Sequence, residues 1–164
     1  GFEPDVQERL RLVRSTLHTI DAPSAIGRLA DIGVEMGALS GALKGVVAQR
    51  LVRKLCDACS TPIALADLPV AQQALLVGRK TEKLRQAVGC DACRQTGYRG
   101  RLGIYELLVA NEEIRQLATQ GGTSDVLKQA AIRNGMETLR SDGWNKVLAG
   151  VTTIDEVLRV TKAD

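Results

Sequence analysis

Cys56-Asp57-Ala58-Cys59 and Cys90-Asp91-Ala92-Cys93, separated by 30 residues, are the stretches that decide how this chain is read. They hold all four cysteines of the 164 residues. A Cys-x-x-Cys turn puts two sulfurs on one side of a short knuckle. Two facing knuckles make a tetrahedral thiolate cage suited to Zn²⁺, with metal–sulfur distances of about 2.3 Å. The residues from Gly1 to Arg14 are charged and lack the apolar run of an export signal. Paired Cys-x-x-Cys motifs without that signal favour a metal in the reducing cytoplasm over disulfide or redox use. Arg53, Lys54, Arg94 and Arg99 flank the cysteines and are expected to lower the thiol pKa values.

Outward from the knuckles the pattern is mixed α/β. Arg14–Thr19 reads as a brief strand with Leu17 inward. Asp21-Ala22-Pro23 opens a helix with Ile26, Leu29 and Ala30 on its buried stripe and Gly33 as its stop. A second helix, weakened by glycine, is expected over 35–44. Residues 46–55 place Val47, Leu51 and Leu55 on a strand-like or mixed pattern before the first knuckle. Between the knuckles, Pro62 and Pro69 bracket a loop, 70–77 a short helix and 82–89 a strand. Residues 99–109 alternate as a strand carrying Leu102, Ile104, Leu107 and Val109. Four helices then follow. Their caps fall at Asn111, at Thr123 or Ser124, before Leu139, and at the capping box Thr153-x-x-Glu156. Trp144 is expected to anchor the core between the tail helices.

Charge is unevenly placed within a net +3: residues 1–43 balance to −2, 44–101 to +7 and 102–164 to −2. The basic block coincides with the cysteines, so a zinc ribbon binding nucleic acid is one rival reading. Phe2, Tyr98, Tyr105 and Trp144 are the whole aromatic set, too few for a base-stacking platform. Tyr98-Arg99-Gly100-Arg101 reads as a solvated turn closing the second knuckle. A thiol oxidoreductase is the other rival; metal-held thiolates would be occupied. No Gly-x-x-x-x-Gly-Lys-Ser/Thr phosphate loop occurs, and no apolar window spans a bilayer. His18, the sole histidine, reads as structural on residue type alone.

The wording of the chain is nevertheless specific. Ser15-Thr16-Leu17-His18-Thr19, Asp21-Ala22, Arg28-Leu29-x-Asp31-x-Gly33-Val34 and Ala48-Gln49-Arg50-Leu51-Val52-Arg53-x-Leu55-Cys56 follow in order. Then come Gly89-Cys90-x-x-Cys93-x-x-Thr96-Gly97-Tyr98-Arg99-Gly100-Arg101-x-Gly103-Ile104-Tyr105-Glu106-Leu107-Leu108, Thr138-Leu139-Arg140-x-Asp142-Gly143 and Thr152-Thr153-x-x-Glu156-Val157-Leu158-Arg159-Val160-Thr161. From about Ser15 to Lys162 this series resembles the C-terminal part of the type II secretion traffic ATPases (general secretion pathway protein E). The type IV pilus assembly ATPases are a close second.

The resemblance implies an α/β fold: the end of a RecA-like motor domain, an inserted tetracysteine zinc subdomain and a helical C-terminal tail. It divides the chain into a non-matching leader (1–14), the distal motor core (15–55), the zinc subdomain (56–98), and a strand with the helical tail (99–164). It gives Cys56, Cys59, Cys90 and Cys93 the role of ligands to a structural Zn²⁺. It places His18 on the histidine box near the nucleotide, the one catalytic candidate. It also implies a hexameric, cytoplasmic ATPase peripheral to the inner membrane, docked on platform and cytoplasmic-anchor proteins without specific nucleic acid. ATP and Mg²⁺ belong to the full-length family, whose phosphate loop and Mg²⁺-associated acidic motif precede the histidine box. Only fourteen residues precede Ser15 here. The chain is therefore expected to be a fragment that does not hydrolyse ATP, with zinc replacing a core that the insert is too small to build.

Overall fold

Asp21 begins the regular structure. Its carboxylate accepts the Ser24 N–H (2.9 Å) at the start of α1, Ala22–Asp31. The computed structural model describes residues 15–17 and 19–161, so the leader and His18 lie outside the described residues. Residues 15–17 and 19 form no strand, and Leu17 is 39% exposed, which corrects the strand expected there. The segment is held instead by the Arg50 guanidinium, which donates to the carbonyls of Thr19 and Ile20. The buried face of α1 is Ala22, Ala25 and Ile26, whereas Leu29 is half-buried and Ala30 exposed. The helix ends as expected at Gly33 (φ +87°), where the Gly33 and Val34 N–H groups reach back to Ala30 and Leu29.

After α2, Met36–Ala42, the strand β1, Gly45–Leu55, begins a long antiparallel ribbon. Between β1 and its partner come β2, Thr61–Pro62, α3, Val70–Leu75, and β3, Arg85–Gln86. The partner is β4, Tyr98–Val109, in a register running from Gly45↔Val109 to Arg53↔Arg101. Among the described residues β3 pairs with β2 alone, so the strand expected over 82–89 shrinks to two residues. Tyr98–Arg101, expected as a turn, is the start of β4. A bulge between Arg53 and Leu55 breaks the alternation of β1. Ala48, Val52 and Leu55 point inward, while Val47 (63% exposed) and Leu51 lie on the outer face. Leu107 and Val109 share that outer face; Ile104 and Leu108 are buried.

Four helices follow among the described residues: α4, Glu112–Thr119, α5, Ser124–Arg133, α6, Leu139–Leu148, and α7, Ile154–Val160. Asn111, Thr123, Thr138 and Thr153 cap them through their side-chain oxygens. Two clusters of buried residues form among the described residues. The first packs α1, α4 and α5 on the inner face of the ribbon, around Ile26, Val52, Ile104, Leu108, Ile114 and Leu127. The second joins Leu76 and Leu84, from between the knuckles, to Trp144 and Val147 of α6 and Ile154 and Val157 of α7. The cysteine-bearing insert therefore shares a core with the tail helices, which corrects the expectation that it has none. Trp144 anchors that shared core, as its composition suggested. Each large aliphatic side chain buried this way contributes about 1.5–3 kcal/mol.

Glu106 of β4 fixes the tail to the ribbon. It is 2% exposed, and its two carboxylate oxygens accept the N–H groups of Ala22 (2.8 Å) and Leu139 (3.1 Å). Those are the first residues of α1 and α6, so one carboxylate closes two helix N-termini, where negative charge is favoured. Burial pushes the carboxyl pKa up, and the two N–H bonds oppose the rise. Glu106→Gln keeps the shape but turns an amide NH₂ toward one of the two N–H donors. A loss of about 1–3 kcal/mol is expected in urea unfolding; an unchanged midpoint and slope would contradict this role.

Candidate metal centre

Each knuckle is closed by backbone bonds of its own. In the first, the Cys59 and Ser60 N–H groups donate to Cys56 O (3.3 and 2.9 Å). In the second, Cys93 and Gln95 do the same to Cys90 O (3.1 and 2.9 Å). The second turn tightens through Arg94 and Gln95, both left-handed at φ +54° and +63°, an uncommon state outside glycine. Gly89 (φ +123°) and Gly97 (φ +76°) flank it. A Cβ on Gly89 would lie 2.9 Å from Gln95 O, and one on Gly97 2.6 Å from the Ala87 Cβ. Both glycines are thus required by space as well as by backbone angle.

The four thiols, all free of disulfides, converge with every Sγ within 4.8 Å of the others. Cys56 and Cys90 are 4.0 Å apart, Cys59 and Cys93 3.8 Å, and Cys90 and Cys93 3.8 Å. Four sulfurs at about 2.3 Å from one ion would be separated by about 3.8 Å, so the donor set fits a tetrahedral thiolate centre. Backbone N–H groups point at the sulfurs: Gly89 at Cys59 (3.3 Å), Cys90 at Cys93 (3.2 Å) and Gly97 at Cys93 (3.2 Å). Such donors favour the thiolate and fix its direction.

The electrostatics are set by these contacts. Burial raises the Cys93 thiol, but the N–H bonds from Cys90 and Gly97 and the neighbouring thiols bring it down to about 6. At Cys59 burial dominates over the single Gly89 bond and the thiol goes up to about 11. Two of the four basic side chains expected to do this work are engaged elsewhere: Lys54 pairs with Asp57 (2.9 Å) and Arg53 with Glu156 (2.7 Å). Glu156 is the site residue that spacing could not single out. It is 1% exposed, accepts the Arg53 N–H and guanidinium and the Arg159 guanidinium, and lies at the mouth of the cysteine module. Its burial would raise the carboxyl, but the hydrogen bonds from Arg159 and Arg53 hold it at about 2. Arg53 also lies 4.2 Å over the Tyr98 ring. His18, the remaining candidate, lies outside the described residues.

Residues 11–159 match the profile of the family described as Type II/IV secretion system protein. The type II secretion system protein HxcR of Pseudomonas aeruginosa is 44% identical over 151 residues, covering 92% of this chain and 28% of that protein. Type II secretion system protein E of Pectobacterium carotovorum is 45% identical, covering 93% of this chain and 30% of the relative. The type IV pilus assembly ATPase PilB of Thermus thermophilus is 44% identical, covering 92% and 17%. Among solved structures, the pilus retraction motor PilT with bound ADP superposes with a TM-score of 0.53 at 20% identity, over 90% of this chain and 31% of that one, a likeness of fold. The chain spans less than a third of the length of these proteins.

The depressed pKa of Glu156 sets a pH window. Its folded value of about 2 lies below the ordinary 4.5, so its contribution is fully present above pH 4.5 and is lost as pH falls toward 2. At about 1.4 kcal/mol per unit, this amounts to about 3 kcal/mol at neutral pH. Glu156→Gln is expected to lose that amount in urea unfolding at pH 7 and to converge with the wild type in acid. A deficit that does not change with pH, or none at pH 7, would contradict it.

Proposed function

Because the chain belongs to the type II/IV secretion system protein family, we propose that it is the zinc-binding C-terminal portion of a type II secretion ATPase. In full-length form such a protein hydrolyses ATP to drive pseudopilus assembly and export. The observation that carries this reading is the family match over residues 11–159, with identity near 45% to proteins of type II secretion systems. The likeness of fold to the PilT motor supports the proposal that residues 15–55 are the distal part of a RecA-like core. The remaining proposed boundaries are 56–98 for the zinc subdomain and 99–164 for the strand and tail.

Within this reading Cys56, Cys59, Cys90 and Cys93 are the metal ligands. Zn²⁺ supplies a structural cross-link there, tying two knuckles that are far apart in sequence. The N–H groups of Gly89, Cys90 and Gly97 orient the sulfurs. His18 is proposed to act beside the nucleotide in the full-length protein. The full-length assembly is proposed to be a hexamer at the cytoplasmic side of the inner membrane, held there by platform and anchor proteins. Among the described residues no helix is long and apolar enough to cross a membrane. A nucleic-acid ribbon has less in its favour: Trp144 is buried and Tyr98 is stacked under Arg53.

A chimera tests the assignment. This chain is placed in a type II secretion protein E in exchange for the segment it matches, in a strain lacking the native protein. Restored export of a secreted reporter is expected, together with no ATP turnover by the 164-residue chain alone. A folded chimera that supports pilus assembly but not export would contradict the secretion assignment. Turnover by the isolated chain that survives a contaminant control would contradict the division of labour.

A further inference from the structure

The mouth of the cysteine module is closed by the C-terminal helices rather than by the module itself. β1 and β4 meet there as the pair Leu55↔Tyr98, just beyond the bulge. The Leu55 N–H donates to Val151 O (2.9 Å), and the buried Thr152 hydroxyl donates to Arg53 O (2.8 Å). The Arg53 N–H and guanidinium both donate to Glu156 at 2.7 Å, and the Tyr98 and Thr153 hydroxyls bond at 2.9 Å. One short segment, 151–156, thus grips both strands at the point where they enter the module.

That grip is wired to the sulfurs. Cys56 lies three residues beyond Arg53, and its N–H donates to Gly97 O (2.9 Å). The Gly97 N–H in turn donates to Cys93 Sγ (3.2 Å). On the other side, Leu76 and Leu84 of the insert pack against Trp144, Val147, Ile154 and Val157. Gly150, at φ +72°, brings the turn between α6 and α7 so close that a Cβ would lie 2.5 Å from Lys83 O. The first core, with α4 and α5, shares none of these bonds.

We infer that metal binding by the four cysteines and docking of α6 and α7 are thermodynamically linked, with Glu156 as the positioning residue that joins them. Glu156 is not a ligand; it holds Arg53, and through it the strand that delivers Cys56. Linkage is reciprocal: whatever factor the docked helices add to metal affinity, the metal adds to their docking. Any partner that pulls on α7 would therefore change the affinity of the metal site. This inference rests on the metal reading proposed above.

The test measures zinc affinity of the 164-residue chain by competition with a chromophoric chelator, and amide exchange with and without zinc. Glu156→Gln is expected to weaken zinc binding by about tenfold or more, the range for loss of a group that orients ligands. Thr152→Val, which removes only the hydroxyl bond to Arg53 O, is expected to weaken it in the same direction and keeps the test open if the first variant does not fold. Asn111→Ala, which uncaps α4 in the first core and leaves α6 and α7 untouched, is expected to stay within about twofold of the wild type, separating linkage from general instability. Removing zinc is expected to speed exchange across 144–160 while 112–133 keep their protection. Equal affinities for the wild type, Glu156→Gln and Thr152→Val, or exchange rising as much in 112–133 as in 144–160, would overturn the linkage alone. A wild type that binds no zinc would overturn the metal reading and the linkage with it.

Discussion

Four sulfur atoms held within 4.8 Å of one another are the constraint on which the middle of this molecule depends. Nothing in the covalent chain brings Cys56 and Cys59 to Cys90 and Cys93. The backbone N–H groups of Cys90 and Gly97 favour the thiolate at Cys93, and that of Gly89 points at the Cys59 sulfur. Convergent thiolates repel one another unless a cation lies between them. A divalent ion removes that repulsion and closes the 30-residue excursion between the knuckles.

The excursion is not an isolated appendage. Its apolar residues find cover on α6 and α7, so the module and the tail stand or fall on one cluster. α6 spans both halves of the molecule. Leu139 belongs to the first core and gives its N–H to Glu106, while Trp144 and Val147 belong to the second. Two buried carboxylates mark the joints: Glu106 between α1 and α6, and Glu156 between α7 and the end of β1. Each is buried with its partners in place. A carboxylate replaced by an apolar residue there would strand donors away from water.

Much of this was legible in residue order. Asp21, Asn111, Thr123 and Thr153 announced helix starts because their short oxygens can reach N–H groups three residues on. Gly33 and Gly150 announced turns that need positive φ. The cysteine spacing announced the knuckles. The phase of β1 was not legible, because Val47 and Leu51 are apolar yet lie on the outer face, and a bulge then resets Leu55. Nor was the lack of a strand at 15–17 and 19 legible, since Arg50, some 30 residues on, holds the carbonyls of Thr19 and Ile20. By spacing Glu156 reads as half of a capping box; Thr153 does accept its N–H (3.4 Å), but the carboxylate turns instead to Arg53 and Arg159. A contact 103 residues away leaves no trace in local pattern. The family resemblance carried the rest, and the match over 11–159 established it.

Zinc K-edge X-ray absorption on the purified chain tests the central claim most directly. The account predicts one zinc per chain with about four sulfur neighbours near 2.3 Å and no lighter ligand in the first coordination shell. Fewer sulfurs completed by nitrogen or oxygen, or a metal-free protein whose thiols are paired as disulfides, would contradict it.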